Sequence, residues 1–209
     1  MFTYKWNVMP RSAGVKTKVE RAAVDLFAAN GFDGVSIADI AAMAGVSQGA
    51  LYRHYPSKEE LGWALFSTAY LRTGEELDRI RTGGAEFEAA VTAMIAHFCA
   101  LYDEDSALFR FMLLTQHGFL PRIPSGSRTP VDAVVDLVGD AVTKNRLKPI
   151  DPALGAAVIM GVILQCATFH IYGRLGGSLG ARAPALARAA LAAVAALTPM
   201  TAGHSEASR

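Results

Sequence analysis

A chain of 209 residues, 52% hydrophobic and 19% charged, can bury a sizeable core, which excludes both a disulfide-stapled mini-protein and a disordered, highly charged chain. Its two cysteines, Cys99 and Cys166, form no CxxC pair; reduced thiols and a cytoplasmic location are expected. The net charge of +1 is unevenly spread: residues 1–58 carry seven Lys/Arg against four Asp/Glu, a mild excess that suits a polyanion partner and excludes a protein that coats nucleic acid by charge alone.

Residues 1–15 are expected as a flexible arm without a signal peptide, because no continuous apolar core opens the chain, and Met9 is a second candidate start. Alternating β-branched runs paired through tight turns are scarce, so an all-α fold is expected. Val19, Ala22, Ala23, Leu26 and Phe27 recur at helical spacing and give the first helix. Gly31 stops it with a left-handed cap, and Phe32 folds back on its last turn. Ser36 with Asp39 makes a capping-box-like pair that opens a second, short helix with Ile37, Ile40, Ala41 and Ala44 inward. Gly45 breaks that helix, Ser47 caps a third running to about His54, and Pro56 ends it. Ser57 with Glu60 opens a long fourth helix towards Arg81, closed by Gly83 and Gly84. Further helices are expected at 85–102, 106–117, 129–142, 152–175 and 183–197, with loops at 121–130 and 176–180 and a flexible tail over 201–209.

The segment from 153 to 172 lacks charge and approaches the length of a membrane span. It contains Gln165, Thr168 and His170, and a helix apolar on every side is also what a buried helix looks like, so a buried helix is the preferred reading.

Two short helices joined through Ala44, Gly45 and Val46 have the dimensions of a helix-turn-helix. Ala41 is small where the helices would cross, Gly45 can take the positive φ of the turn, and Ile40, Val46 and Leu51 can knit the unit together. The third helix then turns Ser47, Gln48, Gly49, Tyr52, Arg53 and His54 outward. Gln48 can bond adenine in two places, and Gly49 and Ala50 permit close approach to base edges. Lys58 and Ser36, each at a helix start, suit phosphate.

The stretch SIADIAAMAGVSQGALYRHYPSKEEL, from Ser36 to Leu61, with AAVDLFAANGFDGVS before it, resembles the amino-terminal signature of the TetR family of bacterial regulators. The resemblance covers about residues 16–65, and the start of the chain is longer than the family pattern. It implies a DNA-binding domain over 16–62 and a larger helical effector-binding and dimerisation domain over 63–200. It also implies that Ser47, Gln48, Gly49 and Ala50 approach bases, while Ser36, Tyr52, His54, Tyr55 and Lys58 touch mainly the DNA backbone. Tyr55 can equally pack against a neighbouring helix, and Arg53 can be a solvated surface charge.

Two GxSxG matches, at Ser47 and Ser178, follow helical sequence and not the strand that a nucleophile elbow requires, so no catalytic residue is assigned. Cys166 and His170 lie four apart, but buried cysteine is usually inert, and neither a metal nor a cofactor is expected. Phe87, Met94, Phe98, Phe109, Met112, Leu113, Val138, Phe169 and His170 are candidates to line a mostly apolar effector cavity, with ordinary core packing as the alternative. Ala157 and Gly161, with Leu186, Ala190, Val194 and Leu197 on the last helix, would let two copies pair, intramolecular packing being the alternative. The function expected is a homodimeric regulator on palindromic operator DNA, a repressor released by a small-molecule effector. Activation, or an enzyme carrying a vestigial helix-turn-helix, is the alternative.

Overall fold

The computed structural model describes residues 14–197; the expected tail at 201–209, and the expected arm except Gly14 and Val15, lie outside them. The described residues form α-helices and no strand: α1 Val15–Asn30, α2 Ile37–Ala44, α3 Gln48–Tyr52, α4 Lys58–Thr82, α5 Phe87–Glu104, α6 Ser106–Phe119, α7 Pro130–Thr143, α8 Pro152–Ile171 and α9 Ala183–Ala195. Val15 is therefore helical and not part of an arm: the Gly14 carbonyl accepts the Lys18 N–H at 3.2 Å and starts α1.

The helix boundaries follow local hydrogen-bond chemistry. Ser36 accepts the Asp39 N–H while the Asp39 carboxylate accepts the Ser36 N–H, a complete capping box. Thr129 and Asp132 repeat it at the start of α7. Only half of the box expected at α4 forms: Ser57 Oγ accepts the Glu60 N–H at 3.1 Å, but the Glu60 carboxylate accepts from Arg122 instead. Gly31 caps α1 with φ 77° and ψ 160°, a positive φ outside the left-handed helical region expected there. α3 ends at Tyr52, short of the expected His54. α8 ends at Ile171 and not at 175, where the Gly173 and Arg174 N–H groups turn back to the His170 and Phe169 carbonyls.

Two compact units emerge, 14–73 with 100–127, and 74–99 with 128–197, which is a different division from a break after residue 62. The first unit joins α1–α3 to the start of α4 and to α6. Phe27 on α1 stacks on Phe111 of α6 at 5.5 Å, and Phe32, Phe66 and Phe119 complete an aromatic core. Arg21 fastens the same pair of helices through Asp25 and the buried Asp105, which also caps α6. Burial disfavours the charged guanidinium, but Asp25 and Asp105 outweigh it and raise the Arg21 pKa.

In the second unit α7, α8 and α9 pack in sequence, and Ala183, Ala187, Ala190 and Val194 form the inner face of α9. Gly74 is required by close approach: a Cβ there would stand 2.2 Å from the Arg128 carbonyl oxygen. α8 departs from the expected buried helix, since only 28% of its most apolar 18-residue window is buried. Ile159, Ile163 and Ala167 face inward, whereas Leu154, Ala157, Gly161, Gln165, Phe169 and Tyr172 are exposed at intervals of three or four. A helix apolar on every side here has one face for its own unit and one that its own unit leaves uncovered. By length and composition alone, α8 is the one helix among the described residues that could cross a membrane.

Candidate nucleic-acid interface

The turn between α2 and α3 begins with the Gly45 N–H bonded to the Ala42 carbonyl and the Val46 N–H to that of Ala41. Gly45 sits at φ 65°, ψ 38°, the left-handed conformation that a side chain disfavours. Ser47 then accepts the Ala50 N–H at 3.2 Å and starts α3. Ile40, Ala41 and Leu51 are buried beneath this turn, so α3 is held by its inner side and its other side is presented to solvent.

That outer side carries Ser47, Gln48, Gly49, Tyr52, Arg53 and His54, all exposed, with Ala50 half-buried at its edge. Beside it lies an open concavity of about 570 Å³, lined by Ser36, Ala38 and Asp39 at the start of α2, by Gln48 and Tyr52 of α3, and by Lys58. Four expected DNA contacts, Ser36, Gln48, Tyr52 and Lys58, thus border one surface. Ala38 and Asp39 were not expected there; their signal in the sequence was the helix start itself, where first-turn N–H groups face outward. The Ser36 hydroxyl and N–H hold the Asp39 carboxyl below the usual carboxylate range.

Besides Ser36 and Ser47, whose hydroxyls serve as helix caps, two further expected contacts are engaged elsewhere. Tyr55 is buried in the core of the first unit, and its hydroxyl donates to Glu20 Oε1 at 2.5 Å. Burial, and then Glu20, push that phenol well up. An aromatic ring closing the domain is held there by packing, which a sequence motif cannot separate from a surface role. Lys58 Nζ donates to the Phe32 carbonyl at 3.0 Å and stands 4.8 Å above the Phe32 ring, so it is fixed at the rim of the concavity.

The nine candidate effector residues are scattered. Phe87, Met94, Phe98 and Val138 are buried in the second unit, and Phe109 is buried in the first with Met112 and Leu113 half-buried beside it. Phe169 is exposed on α8, and His170 Nε2 contacts the Gly177 carbonyl. Phe87 borders a cavity of about 360 Å³ that is rich in charged groups. The two GxSxG serines are caps, Ser47 for α3 and Ser178 for the Ala181 N–H. Among the described residues no three His, Cys, Asp or Glu side chains group as metal ligands.

Residues 21–64 match the family model for bacterial regulatory proteins of the tetR family. Over 62 residues, 30% of this chain, the sequence is 42% identical to MftR of Mycobacterium tuberculosis, a transcriptional regulator named for mycofactocin biosynthesis. The aligned stretch spans 31% of that relative. Solved structures extend the likeness of fold to most of the chain. The fatty acid degradation regulator FadR of Bacillus halodurans superposes with a TM-score of 0.74 at 17% identity, covering 87% of this chain and 97% of that one. FadR of Bacillus subtilis, solved with stearoyl-CoA, gives 0.66 at 19% identity, covering 87% and 98%.

Proposed function

We propose that this chain, whose residues 21–64 match the family model for bacterial regulatory proteins of the tetR family, is a cytoplasmic, DNA-binding transcriptional repressor that acts as a homodimer. The observation that carries this reading is the recognition helix: Ser47 caps it, Leu51 anchors it, and Gln48, Gly49, Tyr52, Arg53 and His54 stand exposed together on its outer side. Gln48 reads adenine by two hydrogen bonds in the major groove, and Gly49 and Ala50 let the helix approach the base edges. Ser36, Tyr52, His54 and Lys58 set its register against phosphates, which fix position without reading sequence. Tyr55 supports the domain from within.

The second copy is proposed on α8. Its stripe of Leu154, Ala157, Gly161, Phe169 and Tyr172 is continuous, apolar but for Gln165, and exposed in the single chain. A surface of that kind in water marks an interaction site. Ala157 and Gly161 allow close helix approach, with nothing within 4 Å of a Cβ built at Gly161. Two recognition helices about 34 Å apart then read a palindrome and gain affinity together. A small-molecule effector held by the larger helical part releases the operator by favouring a spacing that no longer fits successive major grooves. Moving that balance from 1:99 to 99:1 takes about 5.5 kcal/mol of differential affinity. No reaction is assigned to the chain.

Selection from a randomised duplex DNA pool, followed by sedimentation of the complex, tests this reading. An enriched palindromic site bound by two chains is expected. A pool that remains unselected at low salt, without effector, would overturn it.

A further inference from the structure

At one place in the second unit the ends of α4 and α7 meet the start of α5, around a half-open cavity of about 360 Å³. Space of that size suits a small ligand and holds about twelve water-sized groups. Its apolar wall is Phe87, Leu137 and Ala141, three side chains that are otherwise buried. Its polar wall is basic on balance, with Arg81, Lys144 and Arg146 against Glu86 and Asp140.

Both carboxylates are already matched. Asp140 accepts from Arg81 Nη1 at 2.8 Å, and Glu86 pairs with Arg146. Arg81 is half-buried and held by a second bond, from Nε to Asp78 Oδ1 at 2.9 Å, which leaves the Nη2 donors of its guanidinium uncommitted. Burial disfavours its charge, but Asp78 and Asp140 outweigh that effect. Lys144, an exposed lining residue, makes no ion pair among the described residues. A rigid guanidinium with donors to spare, a lysine without a counter-charge and an apolar floor thus border one space.

We propose that this cavity binds a small organic acid, its carboxylate against Arg81 and Lys144 and a short apolar body against Phe87 and Leu137. The ligand carboxylate adds to the Asp140 bond or replaces it, and replacement would loosen the clasp between the ends of α4 and α7. The binding does not rest on the function proposed above.

The test is titration calorimetry on the full chain without DNA, at fixed ionic strength, with acetate, hexanoate, inorganic phosphate and hexylammonium as separate probes. Hexanoate is expected to bind once per chain, at least tenfold more tightly than acetate or phosphate, and hexylammonium not at all. Lys144→Glu should weaken hexanoate at least tenfold, and Ala85→Trp, which fills the cavity from its exposed rim, should abolish binding. Thermal melts check that both variants fold. The proposal is overturned if hexanoate fails to bind, if phosphate or hexylammonium binds as well as hexanoate, or if folded Ala85→Trp binds like the parent. Failure to find an operator would leave all of these outcomes intact.

Discussion

The recognition helix and α8 both turn a row of side chains to solvent, and they do so with opposite chemistry. α3 and the turn that follows it show Gln48, Tyr52, Arg53 and His54, groups that water satisfies until base edges and phosphates replace it. α8 shows Leu154, Ala157, Gly161, Phe169 and Tyr172, which gain by leaving water whatever else is present. The first face therefore suits a partner that comes and goes, and the second one that stays. In the proposed regulator these are the operator and the second copy of the chain.

The most severe way to break the contrast is to charge the apolar face. Gly161→Glu with Phe169→Glu should give a monomer in analytical ultracentrifugation and lower operator affinity about a hundredfold or more, since the avidity of two linked half-sites is lost. A dimer of undiminished strength would place the contact elsewhere. Gln48→Ala strikes the other face: a loss of about 1–3 kcal/mol on the operator is expected in titrations, with the dimer intact and binding to random DNA little changed. Smaller again, Ser36→Ala removes one arm of the α2 capping box and should cost about 1 kcal/mol of stability by urea unfolding.

The subtlest distinction is in pH. Asp39 has its pKa depressed by the Ser36 hydroxyl and N–H, so its contribution is present above the ordinary aspartate value of 3.8 and is lost as pH falls through the lower, folded value. Amide exchange in the first turn of α2 should rise over that acidic window, and Asp39→Asn should flatten the rise. The exposed stripe of α8 contains no carboxylate and should show no matching change.

What could be read beforehand in each region follows from how far its determinants reach along the chain. The capping box at Ser36, the turn at Gly45 and the cap at Ser47 join residues no more than five apart, and their chemistry is visible in a short window. Of the uncovered side of α8 only the small pair Ala157 and Gly161 was visible, because a helix apolar on all sides gives no phase from which to tell that Leu154, Phe169 and Tyr172 share their face. Nor was the position of Tyr55, fixed by Glu20 thirty-five residues away, or the clasp of Arg21 on Asp105 at a separation of eighty-four. The charged cavity belongs to the same class. Arg81 and Asp140 are fifty-nine residues apart, and no periodicity announces that they meet.

Whether α3 reads DNA sequence is decided by quantitative binding of the full chain to its own upstream intergenic DNA, at several salt concentrations and beside Gln48→Ala and Lys58→Ala. Salt-sensitive, sequence-selective binding is expected. Gln48→Ala should relax the selectivity at the base pair it reads, while Lys58→Ala weakens all sequences alike and lowers the salt slope by about one. If neither that fragment nor a randomised pool is bound at low salt without effector, or if Gln48→Ala selects the same sequence as the parent, α3 is not the reader.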